Sequence, residues 1–231
     1  NTLHGSIKAL ADNPFVSLNC ENCAGTGLFM EGIFQNPLYY DLAFQMLTED
    51  SSVNLDEWLR NYAYRRYGSK EKCLVDAMKT LQETCYSENC TGRETGSVIC
   101  ARPATELKHT APNDIRELRY DNKKLFRAAE QLLSAESAYK DGFAYDACDL
   151  VRQVMSNYVS NLYDKAMYGF YNKDVNIFER SSNAFLKICE EVDELLQTRP
   201  ELTLYEHLKE ARELAFTEKD EQNFELNLLT Q

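Results

Sequence analysis

Apolar residues recur at three- and four-residue spacing along most of the chain, and that period predicts helices. The clearest case is 145–171. There Cys148, Val151, Val154, Met155, Tyr158, Val159, Leu162, Ala166 and Phe170 trace one stripe. Asn54 and Glu57 resemble a capping box ahead of Trp58, Leu59, Tyr62, Ala63 and Arg66 at helical spacing. Arg65 and Arg66 suit the end of that helix, and Gly68 stands where a C′ glycine belongs. Ser69 is expected to cap a further helix reaching Cys85. Helical periods also cover 122–139, 175–196, 204–216 and 218–229, and Pro200 ends the second of these. Short connections between such helices predict antiparallel neighbours.

The first fifty residues follow a different pattern. Leu3 to Gly5 reads as a strand end, Ser6 to Leu10 as a short helical turn, and Asn13 to Cys23 as loop. The run from Gly25 to Ile33 is apolar, carries one carboxylate and is punctuated by glycines, which suits a buried parallel strand. Asn36 then caps a helix with Pro37 at its first position, and Leu38, Leu42, Phe44 and Met46 supply its apolar contacts. Strand, loop and helix in that order predict the end of a (β/α) barrel at 1–47, followed by an all-helical domain at 48–231; the whole is mainly α. Residues 86–118 hold Asn89, Gly92, Gly96, Pro103 and Pro112 without a sustained period, so they form a long loop.

Composition adds constraints. No apolar run is long enough for a transmembrane helix, and the start lacks both Met and a signal segment, so a mature chain or an excerpt is expected. The net charge of −12 argues against nucleic acid or an anionic membrane as partner and suits work in acid. Eight cysteines fit an oxidising compartment. Cys20 and Cys23 make half a zinc-ligand set, but His4, His109 and His207 are scattered, so neither metal nor cofactor is expected. Cys85 and Cys90 lie in the predicted loop and suit a local disulfide, and Asn89 begins an N-glycosylation sequon between them.

Two clusters carry candidate chemistry. Glu31 sits in an apolar stretch at the end of the predicted strand, where barrel enzymes place catalytic groups; a half-exposed Glu at a strand end, bonded to a neighbouring helix N-terminus, is the structural alternative. Asp146, Asp149 and Gln153 share one helix face. The two acids could form a carboxylate pair, or complement the helix dipole with Arg152 bonded to Asp149. Glu190, Glu191, Asp193 and Glu194 read as solvated surface.

Several motifs together resemble the α-N-acetylglucosaminidases, family 89 of the glycoside hydrolases, along nearly the whole chain. They are Leu3-His4-Gly5, Gly25-Thr26-Gly27, Glu31-Gly32-Ile33-Phe34-Gln35-Asn36 with Tyr40, Trp58-Leu59, and Arg65-Arg66-Tyr67-Gly68. The loop with Cys85, Asn89, Cys90 and Arg102-Pro103 is similar, as is Tyr145-Asp146 with Asp149-Leu150 and Arg152-Gln153. The Glu31–Asn36 and Tyr145–Gln153 motifs are the specific ones. Arg119-Tyr120-Asp121 departs from the family's frequent Trp-Tyr-Asn.

The resemblance implies a retaining exo-glycosidase acting on terminal α-linked N-acetylglucosamine, as in heparan sulfate, in the lysosome or a secreted setting. It implies Glu31 as nucleophile and His4, Asn36, Tyr145 and Asp146 as substrate-binding residues. It places the acid/base Glu in an N-terminal part of the same enzyme, which is then a partner of this chain alongside the glycan, and this chain alone is expected to be inactive. Homo-oligomerisation is left open. The alternative is a non-enzymatic helical interaction or scaffold module derived from such an enzyme.

Overall fold

A computed structural model of the chain describes residues 3–28, 37–102, 104–110 and 115–230. Among them run nine α-helices. They are α1 Ile7–Leu18, α2 Pro37–Met46, α3 Leu55–Tyr67, α4 Lys72–Gln82, α5 Asn122–Leu133, α6 Asp141–Tyr171, α7 Val175–Gln197, α8 Leu204–Glu213 and α9 Glu218–Thr230. Single 3-10 turns occur at Val98–Cys100 and Pro200–Leu202. The only β feature among the described residues is an isolated parallel bridge between Thr95 and Ile115 in the long loop. The fold is mainly α, as the periodicity predicts. Residues 3–5 and 25–28 carry no regular structure, and the rest of the predicted strand, with Glu31, lies outside the described residues.

Local signals set several boundaries. Asn54 Oδ1 accepts the Glu57 amide at 3.1 Å, and α3 ends on Gly68 at φ 76°. Other boundaries depart from the expected ones. Helix α1 runs through Pro14 to Leu18 where a loop is expected. Ser6 caps it through the Ala9 amide, and Ile7, Leu10, Ala11 and Phe15 pack inward, which offsets the bond lost at proline. Helix α4 is shorter than predicted: Ser69 Oγ accepts the Glu71 amide ahead of the helix, and beyond Gln82 the Thr84 and Tyr86 amides both donate to Leu81 O in a tightened turn. Helix α5 stops at Leu133 instead of continuing to 139, because the Glu136 and Ser137 amides donate to the Glu71 carboxylate. Helix α6 begins earlier than predicted, with Asp141 held by both Nη atoms of Arg199 at 2.8 and 3.0 Å.

The core gathers from α1 to α6. Leu3, Ile7, Leu38, Leu42 and Met46 join Trp58, Leu59, Tyr62, Leu74, Met78, Leu125 and Leu150 in one cluster that crosses residue 47. Phe44, expected inside, is 54% exposed, because two residues from Leu42 and Met46 it points to the opposite face of α2. Tyr158 and Phe170 on α6 are likewise half exposed, whereas Cys148, Val159, Leu162 and Ala166 are buried. The turn at 172–174 sends α7 back along α6. Glu190, Glu191, Asp193 and Glu194 are exposed, as expected.

Candidate functional site

The specific motif at the start of α6 meets the Arg-Tyr-Gly end of α3. Arg66 Nε and Nη2 donate to Asp146 Oδ2 and Oδ1 at 3.0 and 2.7 Å, a bidentate pair, and the Tyr67 hydroxyl donates to Oδ2 at 3.0 Å. The Arg66 guanidinium also lies 6.0 Å from the centre of the Tyr145 ring. Burial pushes the Asp146 carboxyl up, against the pull of Arg66 and Tyr67. Burial opposes the charge on Arg66 too, but the Asp146 hydrogen bonds and charge outweigh it and raise the guanidinium above its ordinary range. Tyr67, fully buried, is pushed well up by its burial.

Asp146 and Asp149 do not form a carboxylate pair: each has its own arginine. Asp149 Oδ1 accepts from Arg152 Nε and Nη2 at 2.8 and 2.6 Å, the local pairing that the spacing allows. The dipole reading also fails for Asp146, because α6 starts at Asp141 and leaves Asp146 beyond its first turn. A cavity of about 30 Å³ separates this cluster from the start of α2, bounded among others by Leu3, Pro37, Tyr62, Asp146 and Asp149. The Tyr62 hydroxyl, also in its wall, is buried and has no hydrogen-bond partner among the described residues.

Of the other candidate residues, His4 is half-buried, with Nε2 3.2 Å from the Gly92 carbonyl oxygen in the long loop. Burial lowers its pKa from the ordinary histidine value. Asn36 and Glu31 lie outside the described residues; Pro37, which follows Asn36, opens α2 as expected. The cluster thus unites Tyr145 and Asp146 with Arg66 and Tyr67, and α2 and Leu3 border the same cavity. Cys85 and Cys90 are free thiols here, both buried, with Sγ donating to Leu81 O at 3.8 Å and to Thr84 O at 3.3 Å. Asn89 is exposed in the turn between them.

Sequence reasoning does not find the hydrogen bond from the Leu3 amide to Gln153 Oε1, 3.1 Å long and 150 residues apart in sequence. The signal available for it is a polar residue inside the buried stripe of α6, between Leu150 and Ser156.

Comparison with known proteins adds the following. Residues 58–231 match the family model of the α-N-acetylglucosaminidase (NAGLU) C-terminal domain. The chain is 28% identical over 235 residues to human α-N-acetylglucosaminidase, covering 97% of this chain and 30% of that one. A family 89 glycoside hydrolase from Clostridium perfringens, in complex with 2-acetamido-1,2-dideoxynojirmycin, superimposes with a TM-score of 0.92 at 26% identity. That match covers 98% of this chain and 26% of the bacterial one. The same enzyme with two glutamates changed to glutamine, in complex with its substrate GlcNAc-α-1,4-galactose, gives 0.90, with the same identity and coverage. This chain therefore spans under a third of the length of these relatives. With most of its length matched by one family model, the chain belongs to the α-N-acetylglucosaminidase C-terminal domain family of the glycoside hydrolases.

Proposed function

We propose that the chain is the C-terminal part of a retaining exo-glycosidase that removes terminal α-linked N-acetylglucosamine, with Glu31 as nucleophile. The observation that carries this reading is the likeness, over 98% of the chain, to an enzyme solved with GlcNAc-α-1,4-galactose bound. The two Glu-to-Gln changes in that enzyme support a mechanism of two carboxyl groups. On this reading residues 1–47 end a catalytic barrel and 48–231 form the helical domain that walls its pocket. The acid/base Glu belongs to a preceding part of the enzyme, as the 26–30% coverage of the relatives supports. Heparan sulfate ending in that sugar is the expected substrate, in the lysosome or outside the cell.

The chemistry runs in two steps. A Glu31 carboxylate oxygen bonds to the anomeric carbon while the glycosidic C–O bond breaks and the leaving oxygen takes a proton from the acid Glu. Water then attacks the same carbon, gives its proton to that Glu, now a base, and the ester bond to Glu31 breaks. His4, Asn36, Tyr145 and Asp146 are read as substrate-binding residues. Asp146 contributes by holding Arg66 and Tyr67 in place, since those two already occupy its oxygens.

Glu31→Gln in the full-length enzyme keeps the shape and removes the charge, so folding should survive while turnover of an aryl α-N-acetylglucosaminide falls by several orders of magnitude. Azide should partly rescue Glu31→Ala and release the β-glycosyl azide. Near-normal turnover in Glu31→Gln, or turnover by the purified 231-residue chain alone, would sink the reading.

Cys85 and Cys90, free thiols in the structure, are read as a disulfide in the secreted enzyme and Asn89 as glycosylated, supported by the shared burial of the two sulfurs and the exposure of Asn89. A non-reduced peptide map of secreted enzyme should show both; free Cys85 with unmodified Asn89 argues against the pair.

A further inference from the structure

Gln153 is 1% exposed, and its amide is engaged at both ends. Oε1 accepts the Leu3 amide at 3.1 Å, and Nε2 donates to Asn157 Oδ1 at 2.8 Å. Asn157 Nδ2 in turn donates to Asn122 Oδ1 at 2.9 Å and to the Tyr120 hydroxyl at 3.1 Å. That chain of amides fixes which end of Gln153 faces Leu3. If filling space were its whole task, Leu or Met would serve without the cost of burying an amide.

Leu3 precedes α1, so no helix bond takes its amide, and Gln153 does. The next two residues are held by other elements. His4 Nε2 lies 3.2 Å from Gly92 O in the long loop. Gly5 has φ 125°, and a Cβ there would come within 2.6 Å of the Tyr39 ring on α2. Leu3, His4 and Gly5 are thus pinned in turn by α6, the loop and α2.

We propose that Gln153 is a positioning residue of the sugar site: by fixing Leu3 on α6 it sets where the His4 imidazole stands. The proposal rests on the reading of His4 as a substrate-binding residue. Gln153 itself touches no substrate.

The test uses the full-length enzyme and three single variants. Gln153→Leu removes both bonds, Asn157→Ala loosens the amide chain, and His4→Ala removes the ring. Gln153→Leu should raise KM about ten- to a hundredfold with a smaller change in kcat, the scale of a misplaced binding group. Asn157→Ala should show a smaller rise of the same kind, which serves if Gln153→Leu does not fold. Added to His4→Ala, either variant should cost no more than about twofold further, because the two residues act through one contact. Hydrogen exchange at the Leu3 amide should quicken in Gln153→Leu.

Losses that multiply in the double variants overturn the proposal. Unchanged exchange at Leu3 in Gln153→Leu overturns the anchor itself. An unchanged KM in His4→Ala removes the sugar-binding reading, and the positioning role with it, while the exchange data report the anchor separately.

Discussion

Besides a long bond from Cys73 Sγ at 3.9 Å, Glu71 receives four hydrogen bonds, from its own turn at Ser69 and from the turn at Glu136 and Ser137. Oε1 accepts the Ser137 amide at 2.7 Å, the Ser137 hydroxyl at 2.5 Å and the Ser69 hydroxyl at 3.1 Å, and Oε2 accepts the Glu136 amide at 3.1 Å. These donors, the Ser137 hydroxyl foremost, hold the carboxyl down at about 2 against an ordinary 4.5. A depressed folded-state pKa favours the folded protein once the unfolded carboxyl has ionised. The contribution is therefore complete above about pH 4.5 and is lost as the pH falls toward about 2. Glu71→Gln should melt lower than wild type near neutrality, and the gap should close across that window. Melting curves that stay parallel from pH 5 to 2 would count against it. No local pattern exposes this residue's main partners, because Glu136 and Ser137 stand 65 and 66 positions away. The partner of Asp146 is illegible for the same reason: Arg66, which neutralises it, stands 80 positions away.

Helix starts and stops divide by the range of what decides them. Asn54 and Gly68 act on their own turns and are legible in sequence. The end of α5 and the passage through Pro14 depend on bonds and packing made elsewhere, while α4 ends in a turn of its own that the period does not announce. The hairpin of α6 and α7 shows a further device. A Cβ at Gly169 would meet the Phe178 backbone, 2.6 Å from its nitrogen and 3.0 Å from its Cα, so the two helices touch main chain to main chain. The turn reinforces this, with the Asp174 amide donating to Gly169 O at 2.8 Å and Lys173 at φ 57°. Backbone cannot swing aside as a side chain can. Gly169→Ala should therefore force α6 and α7 apart at a cost of about 1–3 kcal/mol, the usual range for overpacking, read as a melting temperature lower by several degrees. An unchanged melting temperature would mean that the hairpin yields there.

At the scale of the molecule, the core ignores the boundary that the change of pattern near residue 47 suggests. Leu3, Ile7, Leu38, Leu42 and Met46 sit in the same cluster as Trp58 and Leu125. Burying five such side chains is worth on the order of 10 kcal/mol, comparable with the net stability of a domain. A chain cut to 48–231 should therefore lose its cooperative melt and bind a hydrophobic dye; a sharp transition near that of the longer protein would show that 1–47 is dispensable. The mainly helical class was legible from periodicity, because one buried stripe per helix suffices to reveal it. The site was legible only through its motifs, since His4, Arg66 and Asp146 come from segments whose proximity no periodic pattern encodes.

The bond from Leu3 to Gln153 spans 150 residues of sequence, and that span is also an interval of time. At about 5–20 residues per second, a ribosome takes roughly 8–30 s to reach Gln153 after making Leu3. Through that interval Ile7, Leu38 and Leu42, all destined for the core, wait without α6 beneath them. A nascent chain stalled before Gln153 should then hold this segment open to proteases and chaperones, and release past α6 should close it.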